Sequence, residues 1–396
     1  MMRRVLFIAY HFPPCIEIAG SIRSKKFADF LDLFGWHPSI VALGSEIDRK
    51  DAEIVSNITR LKSFLPFSKP YELYPYGWAI NLWNKLRVRK DFDVIYVSCP
   101  PFPQAISGVL LKKNAGIPLV LDLRDAWSLD PYQEGSRLKK VVYKYVFPKV
   151  ERWAFLNADR IIMNTPSMLN AYQKMYPEFA SRLVFIPNGY DERDFVGKND
   201  VISGKKKDFM EILYCGRFGV GGRDPELIFG AIKLLEDTLK IKCIIYGEQP
   251  ERVSKCIKLM GLESKVILRN QLAHSEMIKK MLKADVLLAY QENSLKEVQA
   301  VSGKTYEYLR SGRPILSIAP QGDNQELIQK YSARYEIVTT YEVNVVVDAI
   351  KSLYKDWLDG KLHSYSAETS GFHDKYERKV LTNQLSKVLN KVVGVI

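Results

Sequence analysis

Short, unbroken apolar runs recur along the chain, with stretches of helical spacing between them. Val5-Leu-Phe-Ile-Ala-Tyr10 is the first such run. Residues 37–43, 93–99, 117–123, 160–164 and 183–186 continue the series through the first half, and 211–215, 242–246, 266–269, 284–290 and 315–318 through the second. Apolar runs this short, without polar alternation, predict strands of a parallel sheet covered on both faces. Between the first two, residues 21–34 put Phe27, Phe30, Leu31 and Phe34 on one helical face. Further helices are predicted over 102–115, 137–157, 166–175, 225–235, 251–260, 275–282, 305–310, 342–358 and 372–393. Pro148 bends or breaks the long one at 137–157. Strand–helix alternation in two halves predicts an α/β protein of two doubly wound domains.

Residues 60–92 interrupt the alternation. They are basic and aromatic without a clear period, and read as irregular. The turn Pro187-Asn188-Gly189-Tyr190-Asp191 closes the first half, and the polar, Lys-rich residues 197–208 read as a linker. The expected domains are therefore 1–197 and 208–365, with a C-terminal helix at about 372–396 packing back on the first.

At 396 residues the chain is long enough for two full cores, and 47% hydrophobic with 26% charged residues is the balance of a soluble globular protein. Cys15, Cys99, Cys215, Cys243 and Cys256 show no paired spacing and read as reduced, buried small hydrophobes. The six apolar residues after Met1-Met-Arg-Arg make a strand rather than a signal, and no run reaches membrane-span length. The formal charge of +13 favours anionic partners.

The most informative stretch runs from Gln299 to Pro320. Ser302-Gly303 reads as a turn, 305–310 as a short helix, and Ser311-Gly312 as its end, with glycine free to take the left-handed cap. The turn thus joins a strand's carboxyl end to a helix's amino end, where free amides suit a phosphate. Glu307, about one turn into that helix, suits a sugar hydroxyl or is simply solvated. A Gly-rich loop, Gly216-Arg217-Phe-Gly219-Val-Gly221-Gly222-Arg223, follows an earlier strand; its glycines admit a ligand to the backbone and its arginines can clamp a pyrophosphate. No Asp-x-Asp metal motif and no His/Cys cluster is read in the chain, which predicts a metal-independent enzyme.

In chain order, five stretches resemble the retaining GT-B glycosyltransferases of family 4, which transfer sugars onto bacterial polysaccharides: His11-Phe-Pro-Pro with Gly20-Ser-Ile-Arg23, Asp122-Leu-Arg-Asp-Ala-Trp127, the turn at 187–191, the Gly-Arg loop, and Lys304-Thr-Tyr-Glu-Tyr-Leu309. The resemblance implies the GT-B fold, two Rossmann-like domains facing a cleft. It implies that Glu307 grips the donor ribose, while Gly20, Gly216, Ser302, Gly303 and Lys304 serve the donor phosphates. Gln299 stands where the family carries a second Glu near the donor sugar, with Glu297 two residues away. Arg217 and Arg223 would stabilise the leaving diphosphate, although Arg223 stands one residue later than the family's Lys. Asp125 joins them as a catalytic group, with His11 and Arg124 on the acceptor side. The implied reaction moves a sugar from a nucleotide-sugar, UDP being commoner in the family than GDP, to a glycan or lipid-linked acceptor. No cofactor and no metal are expected.

Two other classes compete with this reading. A GT-B nucleotide-sugar epimerase would want several acid/base groups, and the five histidines are scattered. A nucleic-acid-binding protein is suggested by charge alone, without a recognised motif. Residues 60–92 and 137–155 interleave Lys/Arg with Tyr, Trp and Phe, which suggests a peripheral seat on an anionic membrane at its cytoplasmic face.

Overall fold

Successive residues of the first strand, β1 (Arg3–Ala9), face two different cores, which is what its unbroken apolar run requires. Leu6 and Ile8 enter one; Val5, Phe7 and Ala9 enter the other. The computed structural model describes residues 2–13, 19–44, 57–65, 73–129, 142–195, 208–219, 222–362 and 371–395. Contacts divide the chain into two units, 1–188 with 376–396, and 189–375. Of the expected linker 197–208, all but Asp208 lies outside the described residues.

The first unit is a seven-stranded parallel sheet in the order β3-β2-β1-β4-β5-β6-β7. The remaining strands are β2 (Trp36–Leu43), β3 (Ile58–Leu61), β4 (Val94–Cys99), β5 (Leu119–Leu123), β6 (Arg160–Met163) and β7 (Leu183–Phe185). Helix α1 (Ala19–Leu31) covers one face. Helices α2 (Tyr74–Leu86), α3 (Pro103–Ala115), α4 (Phe147–Asn157) and α5 (Pro166–Met175) contribute to the other.

The second unit is a six-stranded parallel sheet in the order β10-β9-β8-β11-β12-β13. Its strands are β8 (Met210–Cys215), β9 (Ile241–Tyr246), β10 (Val266–Arg269), β11 (Val286–Tyr290), β12 (Ile315–Ile318) and β13 (Tyr335–Val338). Its helices are α6 (Glu226–Leu235), α7 (Glu251–Leu259), α8 (His274–Lys283), α9 (Leu295–Val298), α10 (Gly303–Ser311), α11 (Asp323–Tyr331) and α12 (Val343–Leu358). Both sheets are doubly wound, with strand order reversing between β1 and β4 and between β8 and β11.

Three expectations change. Residues 60–92 are not irregular throughout: β3 ends within the segment, α2 occupies 74–86, and Trp78 and Leu82 are wholly buried on the inner side of α2. The aromatic residues that blurred its period are partly core. The long helix expected over 137–157 is a wide turn, Val142–Val146, followed by α4, with residues 137–141 outside the described ones. Pro148 lies in the first turn of α4, where a missing amide costs nothing. The C-terminal helix is two helices, α13 (His373–Tyr376) and α14 (Arg378–Val392). Glu377 begins the second by accepting from the amides of Lys379 at 2.7 Å and Val380 at 3.1 Å. Helix α14 lies on α1, burying Leu381, Leu385 and Leu389 in the same core as Phe27 and Leu31.

One buried ion pair ties the first unit together. Arg23 of α1 forks onto Asp122 of β5 at 2.8 and 2.9 Å, and neither side chain meets solvent. The same guanidinium reaches the carbonyls of Ile186 and Pro187 at 2.9 and 2.6 Å, and Tyr96 donates its hydroxyl to Asp122. Replacing Arg23 with Ala leaves a buried carboxylate without its cation, a loss of about 3–5 kcal/mol. Urea unfolding of R23A is expected to show a loss of that size; a change below about 1 kcal/mol would contradict it.

Candidate functional site

Parallel strands gather their carboxyl-end loops on one side of a sheet, and most of the candidate residues lie in such loops. In the second unit the Gly-rich loop leaves β8 and the Gln299 segment follows β11, so they meet at the point where strand order reverses.

Helix α10 begins at Ser302, whose side chain makes no capping bond. The first amides of the helix are therefore not satisfied by a side-chain cap, and a Cβ placed on Gly303 would meet nothing within 4 Å. This is an open, amide-lined helix start. Lys304 follows it. Its side chain is solvent-exposed yet set among much protein, so desolvation lowers its ammonium pKa; Cys215 and Glu307 nearby oppose that shift and Arg223 reinforces it. Lys304, Glu307, Arg223 and Cys215 are thus close enough to feel one another's charge. Burial pushes the Cys215 thiol up to about 12, so it is a packed thiol and not a nucleophile.

Glu307 is nearly buried and is held by a residue that the sequence did not single out: His274, the first residue of α8, lies 2.7 Å from it through Nε2. The other ring nitrogen of His274 lies 3.6 Å from Asp194. Arg310, one turn beyond Glu307, pairs with Glu192 through Nε at 2.6 Å. Helix α10 is therefore joined to the segment 192–194 directly through Arg310 and indirectly through His274.

The Gly-rich loop folds on itself. Gly219 takes a left-handed φ of 72° and its amide donates to the Arg223 carbonyl at 2.7 Å; residues 220 and 221 lie outside the described ones. Gln249 braces the loop, accepting from the Phe218 amide at 2.9 Å and donating to the Gly216 carbonyl at 2.7 Å. Arg217 is exposed. Arg223 is half-buried, 3.8 Å from Glu297. Glu297 also accepts from Gln291 at 2.6 Å, so it is tied down beside the loop, while Gln299 ends the short α9.

In the first unit His11 follows β1 and Arg124-Asp125 follow β5. Arg124 donates to the carbonyls of Cys99 and Pro100 at 3.2 and 2.6 Å, which fixes its guanidinium near His11. Burial, reinforced by Arg124, lowers the His11 pKa to about 4, and its Nδ1 is buried without a hydrogen-bond partner among the described residues. Asp125 is exposed. Gly20 lies in the first turn of α1; residues 14–18 of the preceding loop, including Cys15, lie outside the described ones.

Two quoted motif residues turn out to be structural: Arg23 and Asp122 form the buried pair and are not open to a ligand. Against the expectation of none, the chain has one Asp-x-Asp, Asp91-Phe-Asp93. It stands before β4, away from the strand carboxyl ends; Asp91 pairs with Arg4 and Arg89 at 2.6 and 2.7 Å, and Asp93 accepts from the Arg4 amide. Among the described residues no group of three or more His, Cys, Asp and Glu could hold a metal.

Two family models match the chain: Glycosyltransferase Family 4 over residues 25–194, and Glycosyl transferases group 1 over residues 197–369. No curated protein matches its sequence. Similar solved structures include sucrose-phosphate synthase from Thermosynechococcus elongatus, at TM-score 0.76 and 16% identity over 99% of both chains. HepE from Anabaena in complex with UDP-glucose matches at TM-score 0.70 and 15% identity, over 98% of this chain and 99% of that one. WaaG, a glycosyltransferase involved in lipopolysaccharide biosynthesis, matches at TM-score 0.67 and 14% identity, over 98% and 99%. At such identities the likeness speaks for the fold.

The lowered pKa of His11 has a sign that can be tested. The unfolded chain protonates this ring in the ordinary histidine range, while the folded one resists down to about 4. Its contribution to stability is therefore full above that ordinary range and is lost as pH falls through it to about 4. An NMR titration of the His11 ring is expected to give a midpoint near 4; a midpoint near 6.5 would remove the burial argument.

Proposed function

The chain is a GT-B glycosyltransferase, and from that premise we propose that it is a retaining enzyme moving a sugar from a UDP-sugar to a glycan or lipid-linked acceptor in cell-surface polysaccharide synthesis. One observation carries the reading: an amide-lined helix start, Lys304 and Glu307 stand together beside the Gly-rich loop, at the reversal point of the second sheet. HepE, which shares the fold, was solved with UDP and with UDP-glucose.

In this reading the bond between sugar and diphosphate breaks, and negative charge grows on the departing diphosphate. Fixed positive groups aimed at that charge lower the barrier. The amides of Gly303 and Lys304, with Lys304, Arg217 and Arg223, supply them, and Gly216 and Gly20 let backbone approach the phosphates. Ser302 and Gln299 border the same place. Glu307 accepts from the ribose hydroxyls, held in orientation by His274. In the first unit a neutral His11 and the fixed Arg124 line the acceptor side, with Asp125 assisting. The acceptor hydroxyl gives its proton to the departing phosphate as the new glycosidic bond forms on the same face. No metal and no cofactor enter the scheme.

The test is transfer from radiolabelled UDP- and GDP-sugars, with and without EDTA, alongside donor affinity by calorimetry. E307A is expected to weaken donor binding at least tenfold, since a charged hydrogen bond contributes about 1.5–3 kcal/mol. R217A and R223A should lower turnover more than donor affinity. Unchanged donor affinity in E307A, or activity abolished by EDTA and restored by magnesium, would overturn the scheme.

A lipid-linked acceptor fits the outer face of α2. No helix among the described residues is long and apolar enough to cross a membrane. Of the aromatic residues expected at a membrane, Trp78, Phe92 and Phe155 are core instead. What α2 leaves outside is a ridge of Leu73, Tyr76 and Ile80, with Phe64 exposed nearby and Lys85 and Arg87 at its end. Such a ridge suits an interfacial seat beside anionic headgroups. Co-sedimentation with phosphatidylglycerol vesicles should be salt-sensitive and should fall several-fold in a Tyr76→Ala, Ile80→Asp double variant; binding indifferent to both would leave a soluble acceptor.

A further inference from the structure

A recess in the first unit lies at the opposite ends of its strands from His11, Arg124 and Asp125. It is an open depression of about 510 Å3, lined by Lys112, residues 156–160, Arg182, Lys391 and Val392. Lys112 is in the last turn of α3, which leads into β5; Arg160 begins β6; Arg182 immediately precedes β7. The recess therefore sits at the amino ends of three neighbouring strands, with the end of α14 beside it.

Its charges do not cancel. Asp159, the only carboxylate among the described residues of the lining, is 2.5 Å from Lys112 and also accepts from the Leu119 amide at 2.7 Å. Arg160 bonds the Asp159 backbone carbonyl at 2.7 Å. Arg182 bonds the carbonyls of Leu156 and Ala158 at 3.0 and 3.2 Å. Carbonyls fix where a guanidinium points but carry no formal charge. Those two are at the carboxyl end of α4, whose dipole offsets about half a charge. Lys391 is exposed and has no ion pair among the described residues. Two pinned arginines and a free ammonium thus converge on a volume in the range of small-molecule sites. Fixed guanidinium groups are suited to phosphate, because their forked donors need little further ordering.

We propose that this recess binds a phosphate-bearing anion. The phosphate could belong to an anionic lipid headgroup or to a free phosphorylated molecule, and both offer Arg160, Arg182 and Lys391 the same chemistry. The proposal does not depend on the donor assignment, because none of these residues belongs to the second unit.

The experiment uses the full-length chain in a Lys304→Ala, Arg217→Ala, Arg223→Ala background, so that the cations of the second unit do not report a diphosphate. Pyrophosphate binding is measured by calorimetry, and vesicle binding by sedimentation with phosphatidylglycerol in phosphatidylcholine. Two recess variants are compared: Lys391→Glu, which disturbs no described contact, and Arg160→Gln with Arg182→Gln, whose folding is checked by thermal melting. Pyrophosphate affinity reduced about tenfold in Lys391→Glu supports a free phosphorylated ligand. Vesicle binding reduced in both recess variants, with pyrophosphate bound weakly throughout, supports a lipid headgroup. Wild-type recess that takes up neither probe, or Lys391→Glu that binds both as well as the parent, overturns the proposal.

Discussion

Arg23 and Asp122 face each other inside the first unit with almost no solvent around either, and the loops carrying its candidate residues depend on that pair. Two charges in such a place are tolerable only if attraction and hydrogen bonding offset the loss of water. Here the carboxylate receives a two-pronged guanidinium and a tyrosine hydroxyl, while the remaining guanidinium hydrogens reach backbone carbonyls of Ile186 and Pro187. Arg23 also lies over the Phe27 ring at 4.7 Å, so its outer face is covered by a favourable partner. The geometry matters as much as the energy. Arg23 is one turn into α1, just after the loop that carries His11; Asp122 is one residue short of the end of β5, just before Arg124 and Asp125. One ion pair thereby sets the separation of two loops and holds the strand exit at 186–188 against both.

A second buried carboxylate supports the same region. Glu151 of α4 accepts from the Ser128 amide at 2.8 Å and from the hydroxyls of Tyr172 at 2.7 Å and Tyr176 at 3.0 Å. Tyr172 in turn accepts from the Trp127 amide at 2.8 Å. These bonds hold the chain just beyond Asp125. Burial raises the Glu151 pKa, with the hydrogen bonds opposing that shift. The second unit treats charge differently. Lys304 and Arg217 are left open to solvent, and α10 begins without a side-chain cap. Around Asp122 and Glu151 the polar groups are used up in building; at the start of α10 they are left open to solvent.

This contrast explains what could be read from the sequence. The strands were legible because burial on both faces of a parallel sheet demands unbroken apolar runs. Glu307, Lys304 and the Gly-rich loop were legible because their pattern is local: a turn, a helix start and a glycine cluster each lie within a few residues. What escaped is what depends on distant partners. His274 bonds a residue 33 positions away, and Arg23 one 99 positions away. Nothing near Arg23 in sequence separates a buried structural arginine from one that meets a phosphate, so it stood within a motif that pointed to a ligand. Helix α2 was hidden for another reason. Its aromatic residues divide between the core and the outside, Trp78 inward and Tyr76 outward, so counting them together erased the helical period.

The same topology accounts for where the charge excess lies in the first unit. In a parallel sheet every crossover helix runs back, so loops at strand amino ends follow helix carboxyl ends. Those ends carry partial negative charge and attract cations. Lys112 and Lys113 close α3, and Arg182 reaches the carbonyls that end α4. Arg4, Arg89 and Lys112 find carboxylates in Asp91 and Asp159. Cations are therefore stabilised on this edge even without a ligand. Beyond those partners a surplus remains. Half a charge per helix end and a single lining carboxylate cannot balance Lys112, Arg160, Arg182 and Lys391 together. A surplus held in place by backbone bonds, within a concave surface, is what an anion would need to find ready-made.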